Sequence, residues 1–190
     1  MHRTESTDLT NSAEVILRQR KERQREKELW YVIYTRSRHE KNLSDKLSQA
    51  GYKTYVPLVK TMKQWSDRKK EMEMPLFNSY VFIQGVHEKQ ELKDYKAVVK
   101  FVSFKNGPAK LTQQDIETMK SIIQLGYDVM EIEEYQHLLA GSKVMISGGP
   151  LKGKIGELLN CSGEHWFLMC FDQLNNNIRV KVPSQYLKKI

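Results

Sequence analysis

The sequence predicts an α+β protein built as two units, an antiparallel sheet with helices packed on it and then a small β-barrel. Three observations carry this. Residues 29–125 alternate strand-like and helix-like stretches in the order strand, helix, strand, strand, helix, strand, helix. The stretch Tyr80-Val81-Phe82-Ile83 is apolar at every position, so as a strand it offers apolar side chains to both faces of a sheet. From Gly141 onward, four or five short strand-like runs fall within roughly 50 residues, the density of a small barrel.

The bulk properties narrow the function class. The chain has 190 residues, enough for one medium domain or two small ones. Its net charge is +8, and 39% of its residues are hydrophobic. That balance favours a soluble protein with a polyanionic partner, most simply nucleic acid. Cys161 and Cys170 are the only cysteines and form no CxxC pair, so disulfide and metal frameworks are not expected and a reducing cytoplasm fits. No apolar run approaches the roughly 20 residues of a membrane span. The first twelve residues are polar, so no secretory signal and no membrane association are expected.

Residues 1–28 read as a basic, helical N-terminal arm. Asn11 with Glu14 could open the helix as a capping box, and Arg18 to Glu28 holds almost only charged residues and glutamine. Such a helix has no apolar stripe to bury. It is either a solvated extension or a basic arm on nucleic acid or polymerase. Leu29 to Tyr34 is then a strand. Ser37 and Glu40 form a second capping box before a helix over 38–50, with Leu43, Leu47 and Ala50 on its buried face and Gly51 as its stop. Tyr52 to Val56 is a short strand ended by Pro57. Residues 58–75 are a basic insertion, a hairpin with Trp65 and Ser66-Asp67 near its tip.

After Asn78-Ser79 comes the two-faced strand. Glu88 to Tyr95 is a short helix with Leu92 and Tyr95 inward. Ala97 to Val102 is a strand, and Asn106-Gly107-Pro108 a turn. Thr112 and Asp115 cap a helix whose face is Ile116, Met119 and Ile123, with Gly126 as its stop. The first six elements follow the split βαβ order of the ferredoxin-like fold, whose helices gather on one face of the sheet. The other face is then open unless the third helix, the C-terminal unit or an external partner covers it. Residues 126–139 read as an acidic linker, and 140–190 as the barrel.

No catalytic constellation emerges. Gly148 to Lys154 matches most of a phosphate-binding loop, but Ile155 stands where magnesium chemistry needs Ser or Thr, and strand-like residues follow. A turn between strands explains the same residues. The five histidines are scattered without ligand spacing. Neither catalytic residues, nor a metal, nor a cofactor is expected. Arg36, Arg38 and Lys41 begin the second helix, where basic residues oppose the helix dipole; contact with a phosphate would explain them, as would a solvated end.

These residues resemble the NusG family of transcription elongation factors. Leu29-Trp30-Tyr31-Val32-Ile33 is similar to its opening strand and Val56-Pro57 to the end of its second. Met74 to Ile83 resembles the specialised paralogue RfaH. Val144 to Gly156, with Gly149, Pro150, Leu151 and Gly156, is similar to a KOW motif. The resemblance implies an NGN domain over 29–125 and an SH3-like KOW barrel over 140–190. The basic arm looks most like the UpxY group, antiterminators of capsular polysaccharide operons.

Several roles come with the resemblance. The NGN domain would dock an apolar patch on the β′ clamp helices of RNA polymerase, which falls here on Phe77, Tyr80, Phe82 and Phe104. Its basic side would face DNA of the elongation complex through Arg36, Arg38, Lys46 and Lys96, with nascent RNA a further candidate. A cytoplasmic monomer that suppresses pausing and termination is implied. One departure stands out: general members carry Phe-x-Gly-Tyr, and here the stretch is Phe77-Asn78-Ser79-Tyr80. Two rivals remain, a ribosome- or RNA-binding KOW protein and a DNA-binding repressor. Neither explains the two-faced apolar strand well.

Overall fold

The computed structural model describes residues 5–64, 69–86, 88–105, 107–124, 129–132, 142–149, 151–161, 164–171, 174 and 176–190. Several expected features lie outside them: the hairpin tip with Trp65, Ser66 and Asp67, the turn residue Asn106, Gly126, most of the acidic linker, and Pro150. The side chains of Cys161 and Cys170 also fall outside what is described.

Helix α1 spans Glu5–Glu28, starting earlier than the Asn11 box proposed. Strand β1 follows at Trp30–Thr35, then α2 at Glu40–Gln49 and β2 at Thr54–Tyr55. The insertion is a two-stranded hairpin, β3 (Leu58–Gln64) and β4 (Lys69–Pro75), with Leu58 opposite Pro75. Strand β5 is Tyr80–Gln84, and a short 3₁₀ turn covers Lys89–Leu92 where a helix was expected. Then come β6 (Val98–Phe101), a small hairpin of β7 (Ser103–Phe104) and β8 (Gly107–Pro108), and β9 (Lys110–Leu111). Helix α3 is Gln113–Gln124.

The main sheet has the order β2-β5-β1-β6, with β9 also pairing β1. Strand β1 is antiparallel to both β5 and β6, as the split βαβ reading requires. Alternation sorts the side chains onto two cores. Tyr31, Ile33, Val81 and Ile83 point to α2 and pack with Leu43, Leu47 and Leu92. Trp30, Val32 and Phe82 point the other way and pack with Ile116, Met119 and Ile122 of α3. The helices therefore do not gather on one face: α3 lies on the second. The inward residue of its last turn is Ile122, with Ile123 only partly buried.

The helix ends show where local rules hold and where tertiary contacts override them. Thr112 and Asp115 form the reciprocal cap: Asp115 N–H donates to Thr112 Oγ1 at 3.2 Å, and Thr112 N–H to Asp115 Oδ2 at 2.8 Å. The Ser37–Glu40 box does not form. His39 is the N-cap of α2 and makes no side-chain cap. Glu40 is instead buried, and its Oε1 accepts the backbone N–H of Ser79 at 2.8 Å. Gly51 ends α2 at φ 91°, as expected of the residue after a helix. Ala50 is exposed at that end rather than inward.

The C-terminal residues form a six-stranded antiparallel sheet of order β10-β14-β13-β12-β11-β15. Its members are β10 (Val129–Ile132), β11 (Lys143–Ile146), β12 (Ile155–Cys161), β13 (Glu164–Phe171), β14 (Asn176–Lys181) and β15 (Leu187–Lys189). Strand β10 corrects the linker expectation, because Val129 to Ile132 pair with β14. Among the described residues the two end strands β10 and β15 are not paired to each other. Inside this sheet Val144, Ile146, Phe167 and Val180 are buried, and they join the same apolar cluster as Phe82 and α3.

Candidate functional site

The aromatic residues singled out from the sequence do come together. Phe77 and Tyr80 stack at 6.2 Å between ring centroids, and Phe77 meets Phe82 edge-on at 6.1 Å. They are not one open patch, however. Phe77 and Phe82 are wholly buried. Phe82 touches Tyr55 at 6.2 Å. Lys120 of α3 lies over the Tyr55 ring at 5.6 Å. Helix α3 thus runs from Trp30, whose Nε1–H donates to Gln113 Oε1 at 2.8 Å, across to Tyr55. Burial, with Glu117 nearby, pushes the Tyr55 phenol up to about 12.

What stays accessible is the uncovered end of this face. Tyr80 is half-buried and Tyr34, directly opposite it on β1, is 38% exposed. The two rings meet edge-on at 6.0 Å. Lys100 sits 5.9 Å over Tyr34. Phe104 is half-buried, with Lys105 over its ring at 5.3 Å. Sequence reading missed Tyr34, although its place in the alternation, two residues on from Val32, put it on the Phe82 face.

The turn before Tyr80 is strained at one residue. Ser79 adopts φ 63°, a region that residues with a side chain enter rarely. It is the position where the family pattern has glycine. Its N–H is held by Glu40, and its carbonyl accepts Thr35 N–H at 2.8 Å. Left-handed backbone costs about 1–2 kcal/mol for a residue with a Cβ. Part of that returns because glycine gives the unfolded chain more freedom. Ser79→Gly is therefore expected to stabilise by about 0.5 kcal/mol, and Ser79→Val to destabilise by about 2 kcal/mol. Urea-unfolding midpoints check both, and a destabilising glycine would show that the serine hydroxyl outweighs the strain.

The basic residues form a separate site on the α2 side of the sheet. Arg36, Lys46 and Lys96 line one cleft of about 340 Å3, with His39, Asn42 and Asp94. Arg38 does not join them. It is exposed at φ 64° in the turn before α2. Lys41 is already engaged: its Nζ donates to the Glu73 carbonyl at 3.0 Å and lies 3.7 Å from the Glu73 carboxylate, tying the inserted hairpin to α2.

The glycine-rich stretch is a turn between β11 and β12, as the strand-like residues after it required. Gly149 and Gly153 take φ 72° and 83°, Gly153 N–H donates to the Ile146 carbonyl at 2.7 Å, and Leu151 is buried. Gly156 lies opposite Val144 on the neighbouring strand. A strand follows, so no helix N-terminus faces the loop to hold a phosphate. No group of His, Cys, Asp and Glu among the described residues could hold a metal ion. No described helix is long and apolar enough to cross a membrane.

Residues 28–120 match the family model described as NusG, transcription termination factor nusG. No curated protein matches the chain in sequence. Among solved structures, the crystal structure of the MjSpt4:Spt5 complex in conformation B aligns at 14% identity, covering 85% of this chain and 96% of that one. Its TM-score of 0.25 is too low to carry an argument. The matched span runs from the end of α1 through the sheet and its two-sided core into α3: over residues 28–120, just under half of its length, the chain is similar to the NusG family.

Proposed function

We propose that this protein is a transcription elongation factor of the antitermination kind, acting by binding and not by catalysis. The match of residues 28–120 to the NusG family model is the observation that carries this reading. In this reading residues 29–125 are the NGN domain. Residues 140–190, with Gly149, Pro150, Leu151 and Gly156, are a KOW barrel, to which β10 adds a strand. The uncovered aromatic end would meet the β′ clamp helices of RNA polymerase. Tyr80 and Phe104 make that contact together with Tyr34, while Phe77 and Phe82 back the Tyr80 ring from within the core. Aromatic side chains with a polar tip are favoured anchors in such interfaces.

The basic cleft of Arg36, Lys46 and Lys96, with Arg38 beside it, would face DNA. Two contacts on opposite faces of one sheet let a single domain bridge polymerase and nucleic acid. Binding the elongating state more tightly than the paused one shifts the population toward read-through, for instance of a polysaccharide operon as in the UpxY group. A pull-down of purified bacterial RNA polymerase tests this, with wild type and with Tyr34→Ser/Tyr80→Ser. Wild type is expected to capture polymerase, and the variant at least tenfold less while still unfolding cooperatively, with a melting temperature only a few degrees lower. Equal capture by the folded variant would sink the docking assignment.

A further inference from the structure

Helix α1 has a built-in base and an unoccupied length. Its last turn is fixed to the sheet: Gln84 Nε2 donates to the Glu28 carbonyl at 3.0 Å, Gly85 N–H to the Leu29 carbonyl at 2.9 Å, and Lys110 pairs with Glu26 at 3.5 Å. Gly85, at φ 76°, lets the helix end come so close that an added Cβ would sit 3.1 Å from the Lys27 carbonyl. Beyond that base every described side chain from Val15 to Arg25 is exposed. The 24-residue helix is about 36 Å long, and over Val15 to Arg25 it projects without a core to justify it.

The charges on this rod are sorted. Arg20, Arg23 and Lys27, spaced i, i+3 and i+7, share one flank. Arg18, Lys21 and Arg25 share another by the same spacing. Between these flanks on one side runs the line Leu17 and Gln24, with Glu28 following only at the fixed base; on the other side lie Glu22 and Glu26, turned toward Arg18 and Lys110. A helix stabilised only by its own surface charges would pair them along its length. Arg18–Glu22, at 3.7 Å, is the one such pair within the described part of α1.

We propose that α1 lies in the major groove of duplex DNA, with its two basic flanks on the phosphate rows either side and the Leu17/Gln24 line facing the base edges. The B-form major groove is about 12 Å wide and admits one α-helix. The deep, narrow groove of A-form RNA does not. The inference stands on the helix alone and is independent of polymerase docking.

The test uses the full chain with a labelled 30-base-pair DNA duplex, and the matching RNA duplex, between roughly 50 and 200 mM salt, the range over which phosphate contacts change affinity most visibly. The variant Arg20→Gln/Lys21→Gln/Arg25→Gln/Lys27→Gln keeps strong helix formers. A control, Lys152→Gln/Lys154→Gln/Lys188→Gln/Lys189→Gln, removes the same charge from the C-terminal sheet. The arm variant is expected to lose at least tenfold in DNA affinity at low salt, and to flatten the log–log salt slope by about 3 to 4. The control is expected to move each by less than half as much, and RNA to bind at least tenfold more weakly than DNA. An unchanged slope in the arm variant, an equal loss in the control, or equal affinity for the RNA duplex would each overturn the proposal.

Discussion

Replacing Phe82 by alanine is expected to destabilise the protein by about 3–5 kcal/mol. Its ring is wholly enclosed, against Phe77 on one side and Tyr55 on the other, and it stands opposite Val32 on β1. Truncation removes the burial energy of an aromatic side chain and leaves a hole that strands fixed in a ladder cannot close. A loss of that size is a large share of the roughly 5–15 kcal/mol that holds an ordinary domain together. Loss of polymerase binding in Phe82→Ala would then report on folding and not on docking. Tyr80→Ala, at a half-buried ring, should cost about 1 kcal/mol and leave the fold intact. Urea melts of both variants separate the two effects. A cost below about 1.5 kcal/mol for Phe82→Ala would mean the ring is not enclosed as described.

Glu40→Ala is expected to cost about 2–3 kcal/mol. The carboxylate is buried in the first turn of α2, where the helix dipole favours negative charge. The carboxylate accepts the buried N–H of Ser79, and alanine would leave that donor with nothing. Glu40→Gln keeps an acceptor oxygen but loses the charge, so it should cost about 1 kcal/mol. The contact also holds Ser79 in its left-handed conformation. The effects of Glu40→Ala and Ser79→Gly should therefore fail to add, because glycine needs less holding. Equal losses for Ala and Gln would show that the acceptor is not used.

Much of the domain was legible in the sequence because two periodicities carried it. The alternation in Trp30 to Ile33 and Tyr80 to Ile83 placed both strands, and the Leu43/Leu47 spacing placed α2. The same alternation announced a second covered face but could not say what covered it. That depended on where α3 lands, which no local pattern encodes. The Ser37–Glu40 box looked as sound as Thr112–Asp115. It failed because a residue 39 positions away offered Glu40 a buried donor. Three of the four basic residues converge on a cleft because α2 and residues 94–97 are neighbours in space. Arg38 is turned aside by its own backbone. Strand β10 was read as linker since its partner β14 lies far along the chain.

The two-sided sheet also governs how the chain can vary. A strand with one wet face tolerates change at every other residue. Here Trp30 to Ile33 and Val81 to Ile83 are buried without a break, by α2 from one side and α3 from the other. In a library of random substitutions these seven positions should be depleted one after another, with no two-residue rhythm. The hairpin strands β3 and β4, exposed at Lys60, Thr61, Glu71 and Glu73, should be free to drift. Innovation in this molecule is therefore confined to its appendages, the inserted hairpin and the N-terminal rod, while the sheet between them is held almost letter for letter.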